Sequence, residues 1–515
     1  MIKNVAAAVL GVVAVICIML GVAGYLLKGE PLWQDKTIEL GDTVSDDAAE
    51  YIGGTPWTVE HTIVDLGGLN TGKVGDYTVR ASNLFAAYEY TIHVRDTVPP
   101  QIRAGYSLDT VLAAGRDYDL SVLQAEATDK SGTVFVRYYY DGKEIEGLYF
   151  DDIGRPEIVI EATDGNANRS EKKIKLFVDT PPELYGVHEQ YIRMGSDGSA
   201  LDPVFATDDV DGWLTDSVKS DISDVDFRNI GDYVAAYSVT DSYGLTTTAK
   251  TTVHVISSED RVRKHLNDYR MSEEQMEETV EAGFFTYEPL KSPDRKWVTD
   301  NCGMTLVNLY RDEADYVSSG SGFIYDITPE YVYVVSVYHV TSAFDQKPTR
   351  ITFFDGTYTP VVFKSIRLNA GNEASLFRIP VSDVPYHTLV RLRQVAYDED
   401  IYDDIHVGTP LIEYCKNWRA GAREDLIKYV NVISFGLSDI QKRYVDDDEY
   451  FAVTRASESG MSGTAIFDER GILAGICSKT MMPLSEEEPR FRDGCDFLLM
   501  VDGLPELLER AEGSE

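Results

Sequence analysis

The sequence predicts a mostly-β, multidomain chain that opens on one long apolar helix and closes on a larger β domain. Three observations predict it. Val5 to Leu27 is an unbroken uncharged run. A motif led by glycine then returns twice at nearly constant spacing, each time running into alternating strands. After residue 298 the strand-like segments carry a histidine, several acids and a glycine-flanked serine at their ends. A length of 515 residues suggests about three to five domains.

The bulk numbers set limits on function. An apolar share of 43% is that of a folded chain. The formal net charge of -39 argues against nucleic-acid binding, which needs a basic face. Cys17 lies in the first apolar run, and Cys302, Cys415, Cys477 and Cys495 all follow residue 300, so no disulfide scaffold is built. Cys477 and Cys495 remain candidates for one bridge. No C-x-x-C spacing exists, so zinc is not expected, and no cofactor is implied.

Residues 1–30 are read as a transmembrane anchor. As a helix, the run from Val5 to Leu27 would extend about 35 Å, enough to cross a bilayer core. A cleaved signal peptide is the rival, with Val22-Ala23-Gly24 offering small residues, but its apolar core would be about 7–15 residues. Either way the chain after residue 30 is expected outside the cell, and no second long apolar run follows.

Residues 31–97, 98–180 and 181–257 read as three tandem sandwiches. Gly75-Asp76-Tyr77-Thr78-Val79 is matched by Gly154-Arg155-Pro156-Glu157-Ile158 and by Gly231-Asp232-Tyr233-Val234-Ala235. Strands such as Tyr90 to Val94, Ile174 to Val178 and Thr252 to Val255 alternate as half-buried β-structure does. The joins Asp96-Thr97-Val98-Pro99-Pro100 and Asp179-Thr180-Pro181-Pro182 are stiffened by paired prolines, which points to a rod. This segment resembles the immunoglobulin-like or cadherin-like repeats of bacterial surface proteins, which implies a stalk or a module for a surface partner. Inside the third copy, Thr207 to Gly212 crowds Asp208, Asp209 and Asp211. Without the full EF-hand pattern it reads as a solvated turn before a calcium loop.

Residues 258–297 change period. Val262, Leu266 and Tyr269 share a helical face. Ser272 with Gln275 forms a capping box for a second helix that closes at Gly283, and Pro289 and Pro293 then mark a loop. This is a helical connector.

Residues 298–515 carry the chemistry. In Gly460-Met461-Ser462-Gly463-Thr464 the flanking glycines allow a sharp turn that exposes the serine oxygen and aims two N–H groups at one spot. Upstream, Gly320-Ser321-Gly322-Phe323 leads into a strand from Tyr331 that ends at His339. The hairpin turn Asp355-Gly356 follows, then a strand led by Glu373-Ala374-Ser375-Leu376. That order resembles the trypsin-like serine proteases of the chymotrypsin fold, a double β-barrel. Gly471 to Ser478 resembles the strand lining the substrate cleft, and Phe497 to Val501 with Leu504 to Arg510 resembles the last strand and closing helix.

The resemblance implies Ser462 as nucleophile and His339 as its general base. It implies the N–H groups of Gly460 and Ser462 as oxyanion hole, and protein or peptide as substrate. Glu373 stands where the family has Asp, so its carboxylate must fold back to meet the ring; Asp345 and Asp383 are poorer substitutes. Ala456, six residues before Ser462, and Ser478 fall at the primary pocket. With no acid at position 456, a small or apolar side chain is expected there in place of Lys or Arg. A zymogen-type new N-terminus is absent near 296–300, and no PDZ domain follows the closing helix, which argues against the stress proteases that carry one. The alternative reading is a head that kept the protease fold and serves as a surface binding or adhesion protein. The lack of disulfide pairing leans, by analogy, toward a Gram-positive bacterium.

Overall fold

The computed structural model describes residues 2–105, 111–258, 261–262, 264–265, 269–312, 317–369, 371, 373–419, 422–437, 441–443, 445, 449–481 and 494–513. It divides into two compact units, Met1–Pro181 and Pro182–Glu515.

The first unit begins with the helix Ile2–Leu27. Its 23-residue stretch Val5–Leu27 has a mean hydropathy of 2.9 and is left open by the described residues along most of its length, only Ala23, Gly24 and Leu27 being partly covered. Two sandwiches follow. In the first, Asp35–Glu39, Ala87–Arg95, Gly75–Ser82 and Ile63–Asp65 lie side by side in that order. Alternation sends Val79, Ala81, Tyr90, Ile92 and Val94 inward. In the second, the order is Lys143–Ile145, Val134–Tyr140, Glu157–Asp164 and Arg169–Lys175.

The repeat is visible in side-chain detail. Each sandwich pairs an early strand in parallel with its last: Asp35–Glu39 with Ala87–Arg95, Val111–Ala113 with Phe177–Asp179, and Gln190–Arg193 with Thr246–Ile256. In the first and third copies the tyrosine of Gly-Asp-Tyr folds back, Tyr77 donating to the Lys73 carbonyl at 2.9 Å and Tyr233 to that of Asn229 at 3.0 Å. A Cβ on Gly75 or Gly231 would meet that ring at 3.3 or 3.2 Å, which is why glycine leads the motif. The aspartates then meet histidines across the sheet, Asp76 with His93 at 2.8 Å and Asp232 with His254 at 2.7 Å. The second copy has Pro156 in place of the tyrosine, and its Gly154 bridges Val178.

Between the first two sandwiches, one carboxylate oxygen each from Asp96, Asp129 and Asp164 lies within 4.8 Å of the others. Burial pushes the Asp96 carboxyl up against an opposing hydrogen bond from Asn166, and its two acidic neighbours add to the rise. The acidic segment singled out in the sequence is a different one. There Asp208 Oδ1 accepts the N–H groups of Val210 and Asp211, as an Asx turn does.

The second unit holds the third sandwich, the connector and the head. The sheet Gln190–Arg193, Thr246–Ile256, Gly231–Thr240, Lys219–Asp221 faces a smaller one of Glu183–Tyr185, Phe205–Asp208 and Gly212–Trp213. This sandwich does not stand off as a stalk segment. Tyr185 and Phe205 share a buried cluster with Tyr386 and Val390 of the head, flanked by Tyr269 and Phe284 of the connector. Beside it the buried Asp202 takes His387 Nδ1 at 2.6 Å, Arg391 Nη1 at 2.6 Å and His188 Nε2 at 3.1 Å. Burial raises the Asp202 carboxyl, but the bonds from His188 and His387 outweigh it and hold it far below the usual range.

The connector keeps its expected helix, Glu273–Glu281, with Ser272 Oγ accepting from Gln275 N and the Gln275 side chain accepting from Ser272 N. Gly283 ends it at φ +69°. Of the earlier helical face, Leu266 lies outside the described residues, while Tyr269 takes the Gly186 N–H at 3.0 Å and stacks on His188. A further helix, Arg295–Asn301, spans the boundary drawn at 297/298. The connector's Met276 and Phe285 lie inside the head's own core cluster.

The head pairs a six-stranded sheet with a closed six-stranded barrel. The sheet runs Tyr358–Val361, Thr349–Thr352, Leu306–Asp312, Val317–Ile327, Tyr331–Val337, Ala374–Pro380. The barrel runs Pro410–Arg419, Ala422–Ser434, Tyr450–Thr454, Cys495–Leu499, Leu473–Met481, Ala465–Phe467. The Asp355-Gly356 hairpin forms as expected, with Gly356 at φ +81° and Thr352 paired to Tyr358. The helix Leu504–Glu512 closes the head. Four cysteines are buried and free, so the Cys477–Cys495 bridge does not form. Cys477 pairs with Leu498 and Cys495 with Met481 on neighbouring strands, which sets the two thiols several ladder positions apart.

The capping box offers a direct check on the connector. Ser272→Ala removes one acceptor from an N-terminal N–H and should cost about 1 kcal/mol. Chemical denaturation of the full chain measures it, and an unchanged midpoint would mean the helix is held by packing alone.

Candidate active site

The strand Tyr331–Val337 is buried along nearly its whole length, and the short helix Tyr338–Phe344 begins directly after it. His339 therefore stands in the helix's first turn, at the mouth of the sheet. The neighbouring strand brings Glu373 beside it, because Val337 pairs with Ala374 and the Tyr338 N–H takes the Glu373 carbonyl at 2.7 Å. The Glu373 carboxylate folds back so that Oε1 is hydrogen-bonded to His339 Nδ1. The same oxygen accepts the His339 backbone N–H at 3.3 Å. The extra methylene of glutamate is thus accommodated. Burial raises the Glu373 carboxyl, yet the His339 bond and charge, with the backbone N–H and Lys479, bring it below the ordinary value.

Asp345 and Asp383 are elsewhere. Asp345 caps Ser365, accepting its N–H at 2.7 Å, and Asp383 ends the short turn Val381–Asp383.

The Gly460–Thr464 loop is locked between the two halves of the head. Gly460 and Gly463 take φ +98° and +90°. The Gly463 N–H donates to the Cys477 carbonyl at 2.7 Å within the barrel. From the sheet, the Ser321 N–H donates to the Ser462 carbonyl at 3.0 Å, and Ser321 Oγ to the Gly460 carbonyl at 2.7 Å. Ser336 Oγ supports this by donating to the Ser321 carbonyl at 2.6 Å. A Cβ on Gly463 would lie 2.1 Å from Ser336 Oγ and 2.2 Å from the Ser321 carbonyl oxygen. The loop is therefore pressed against the strand that ends at His339. The Ser462 hydroxyl donates to the Ser478 carbonyl at 3.4 Å, and among the described residues no hydrogen bond joins it to His339. The N–H groups of Gly460 and Ser462 donate to no acceptor among the described residues.

The pocket positions hold more charge than the sequence suggested. Ala456 and Ser457 donate their N–H groups to Asp496 Oδ2 at 2.6 and 2.8 Å, and Thr480 Oγ1 donates to Oδ1 at 2.8 Å. An acid therefore does lie under Ala456, fully buried and with both oxygens engaged. Ser478 is buried, its hydroxyl 3.4 Å from that of Tyr450. Beneath Ser457 lies Glu413, 1% exposed, accepting from Ser457 Oγ at 2.8 Å. Burial drives its carboxyl up to about 7, against the Cys477 and Ser457 bonds and with help from Asp496. Both acids left a sequence signal: each interrupts an apolar strand, in Leu411-Ile412-Glu413-Tyr414-Cys415 and Cys495-Asp496-Phe497-Leu498.

Two outcomes check this geometry. Gly463→Ala should destabilise by more than about 2 kcal/mol, since both space and φ oppose it. Thermal unfolding close to that of the parent would contradict the packing. For Glu413 the folded pKa lies above the unfolded value of about 4.3, so its contribution is present at acid pH and is lost as pH rises through about 7. Between pH 4 and 8 the parent should lose about 3 kcal/mol relative to Glu413→Gln. Denaturant titrations of both at pH 4 and pH 8 measure it; a constant difference would refute it.

Comparison with known proteins bears on two parts of the chain. A search of curated proteins returned no match. Solved structures similar to the chain include an HtrA-type protease, AlgW, with tripeptide, at 17% identity over 42% of this chain and 63% of that one, with a TM-score of 0.32. A serine endoprotease from Yersinia pestis matches at 14% identity over 43% and 67%, with a TM-score of 0.30. The chain spans less than two thirds of the AlgW structures' length. Residues 182–255, which hold the third sandwich, match the family model described as bacterial surface protein, Ig-like domain.

Proposed function

We propose that the chain is a membrane-anchored serine endopeptidase acting outside the cell, with Ser462 as nucleophile, His339 as general base and Glu373 as the acid that orients it. The observation that carries this reading is the Glu373–His339 hydrogen bond at the strand end against which the Ser462 loop is packed. In the reaction, Ser462 Oγ attacks the peptide carbonyl carbon while His339 Nε2 takes its proton. The carbonyl oxygen, now negative, is held by the Gly460 and Ser462 N–H groups, each worth about 3 kcal/mol. His339 then hands the proton to the leaving amine, and water repeats the sequence to release the acid. Glu373 stays ionised throughout and stabilises the imidazolium. Its lowered pKa suits that role.

Asp496 has both oxygens engaged by Ala456, Ser457 and Thr480, so it offers no free partner to a basic side chain, and a small or apolar residue fits the pocket. The helix Val5–Leu27 supports the anchor, and the match of residues 182–255 to a bacterial surface Ig-like domain supports an extracellular location.

The second reading, a protease-fold head that binds without cutting, draws on the Ser462 hydroxyl turning to Ser478 rather than to His339. A fluorophosphonate probe separates the two. Labelling at Ser462, lost in Ser462→Ala and His339→Ala, is the expected result, and its absence in folded protein favours the binder. Glu373→Gln should lower kcat/KM by about 10⁴-fold. Glu373→Asp should lower it too, because the shorter side chain no longer reaches Nδ1; a rise would mean that glutamate is a handicap.

A further inference from the structure

On the sheet of the head, four cations line one cavity of about 470 Å³. They come from three places in the chain. Lys364 and Arg367 sit in the segment after the strand Tyr358–Val361, Arg378 on the edge strand Ala374–Pro380, and Arg510 on the closing helix. Aromatic rings hold two of them in place: the Arg367 guanidinium lies 3.4 Å from the Tyr338 ring centroid, and that of Arg378 lies 4.4 Å from Tyr331. Arg510 Nη1 donates to the Leu368 carbonyl. Among the described residues, Lys364, Arg378 and Arg510 form no ion pair.

Two acids lie near the cavity: Asp345 Oδ1 accepts the Ser365 N–H at 2.7 Å and its hydroxyl at 3.2 Å, and Glu512 and Arg378 both act on the Tyr333 hydroxyl. A chain of net charge -39 has carboxylates to spare for pairing, yet Lys364, Arg378 and Arg510 line one cavity with no such pair among the described residues. Their mutual repulsion is a cost that a bound anion would remove. Guanidinium forks match tetrahedral oxyanions in bidentate geometry, and the cavity has the volume of a small-molecule site.

We propose that this cavity binds a dianionic phosphate group, from a soluble phosphate compound or from a phospholipid headgroup. The proposal stands apart from the protease reading, since none of the four cations is a proposed catalytic residue.

The test uses the full chain in uncharged detergent, titrated calorimetrically with inorganic pyrophosphate. One-to-one binding that weakens with added salt is expected. Lys364→Gln with Arg510→Gln, both exposed positions, should weaken it at least tenfold with unfolding temperature unchanged. Arg378→Gln provides a second variant that removes a cation without emptying the cavity. Dihexanoyl phosphatidic acid distinguishes the sources: displacement of pyrophosphate assigns a lipid headgroup, and failure to displace it assigns a soluble phosphate. No binding at millimolar pyrophosphate would overturn the proposal. So would equal binding by the double variant, or tighter binding of a hexa-aspartate peptide than of pyrophosphate.

Discussion

The head depends on one seam, where Ser321 reaches from the sheet to grip the 460–463 loop of the barrel. Its N–H and hydroxyl take the carbonyls of Ser462 and Gly460, and its own carbonyl is held by Ser336. Each such bond is worth only about 1 kcal/mol net, but a buried carbonyl left without its donor costs about 1–3 kcal/mol. The seam therefore breaks as a whole or not at all. Glycine at 463 is what lets the two halves approach, since any side chain there would occupy the space that Ser336 and Ser321 use. The proposed nucleophile belongs to the barrel and the proposed base to the sheet, so the site exists only while this contact holds.

A second contact fixes what the head is attached to. The third sandwich contributes Tyr185 and Phe205, the connector Tyr269 and Phe284, and the head Tyr386, to one aromatic cluster. Asp202 of the sandwich then collects His387 and Arg391 from the head and His188 from its own domain. Burying an acid is costly unless it is paired on several sides, and here it is. The consequence is one body from the sandwich through the head, with the connector as part of its core and not as a hinge.

How much of this was legible depended on how local the signal was. Strand alternation and the Gly-Asp-Tyr repeat are local, so the sandwiches were readable. The order of Ser321, His339, Glu373 and Ser462 along the chain was enough to resemble a known architecture and to select those residues. Whether Glu373 reaches His339 was not readable, because it rests on strand register and a side-chain fold-back. Asp496 and Glu413 were overlooked although each breaks an apolar strand; a charge in such a strand has to be buried, and asking what buries it would have found both. The acid absent at position 456 turned out to arrive from the facing strand at 496. The docking of the third sandwich was hidden because Tyr185, Phe205 and Tyr386 look like residues of their separate domain cores. The cation-lined cavity was beyond sequence reading, as Arg510 joins Lys364, Arg367 and Arg378 from the closing helix, far along the chain.

The head's four cysteines are buried, unbridged thiols, and burial raises every one of them: Cys302 to about 12, Cys415 and Cys495 to about 11, and Cys477 well above the ordinary thiol value. Since the thiolate is the species that reacts, none of these sulfurs is a ready target for an alkylating reagent. A cysteine placed by mutation on the surface of this head would then be its one fast-reacting thiol. Dyes and spin labels can be attached there with the head's four native cysteines left in place, and a second such site on the third sandwich lets the distance from sandwich to head be measured.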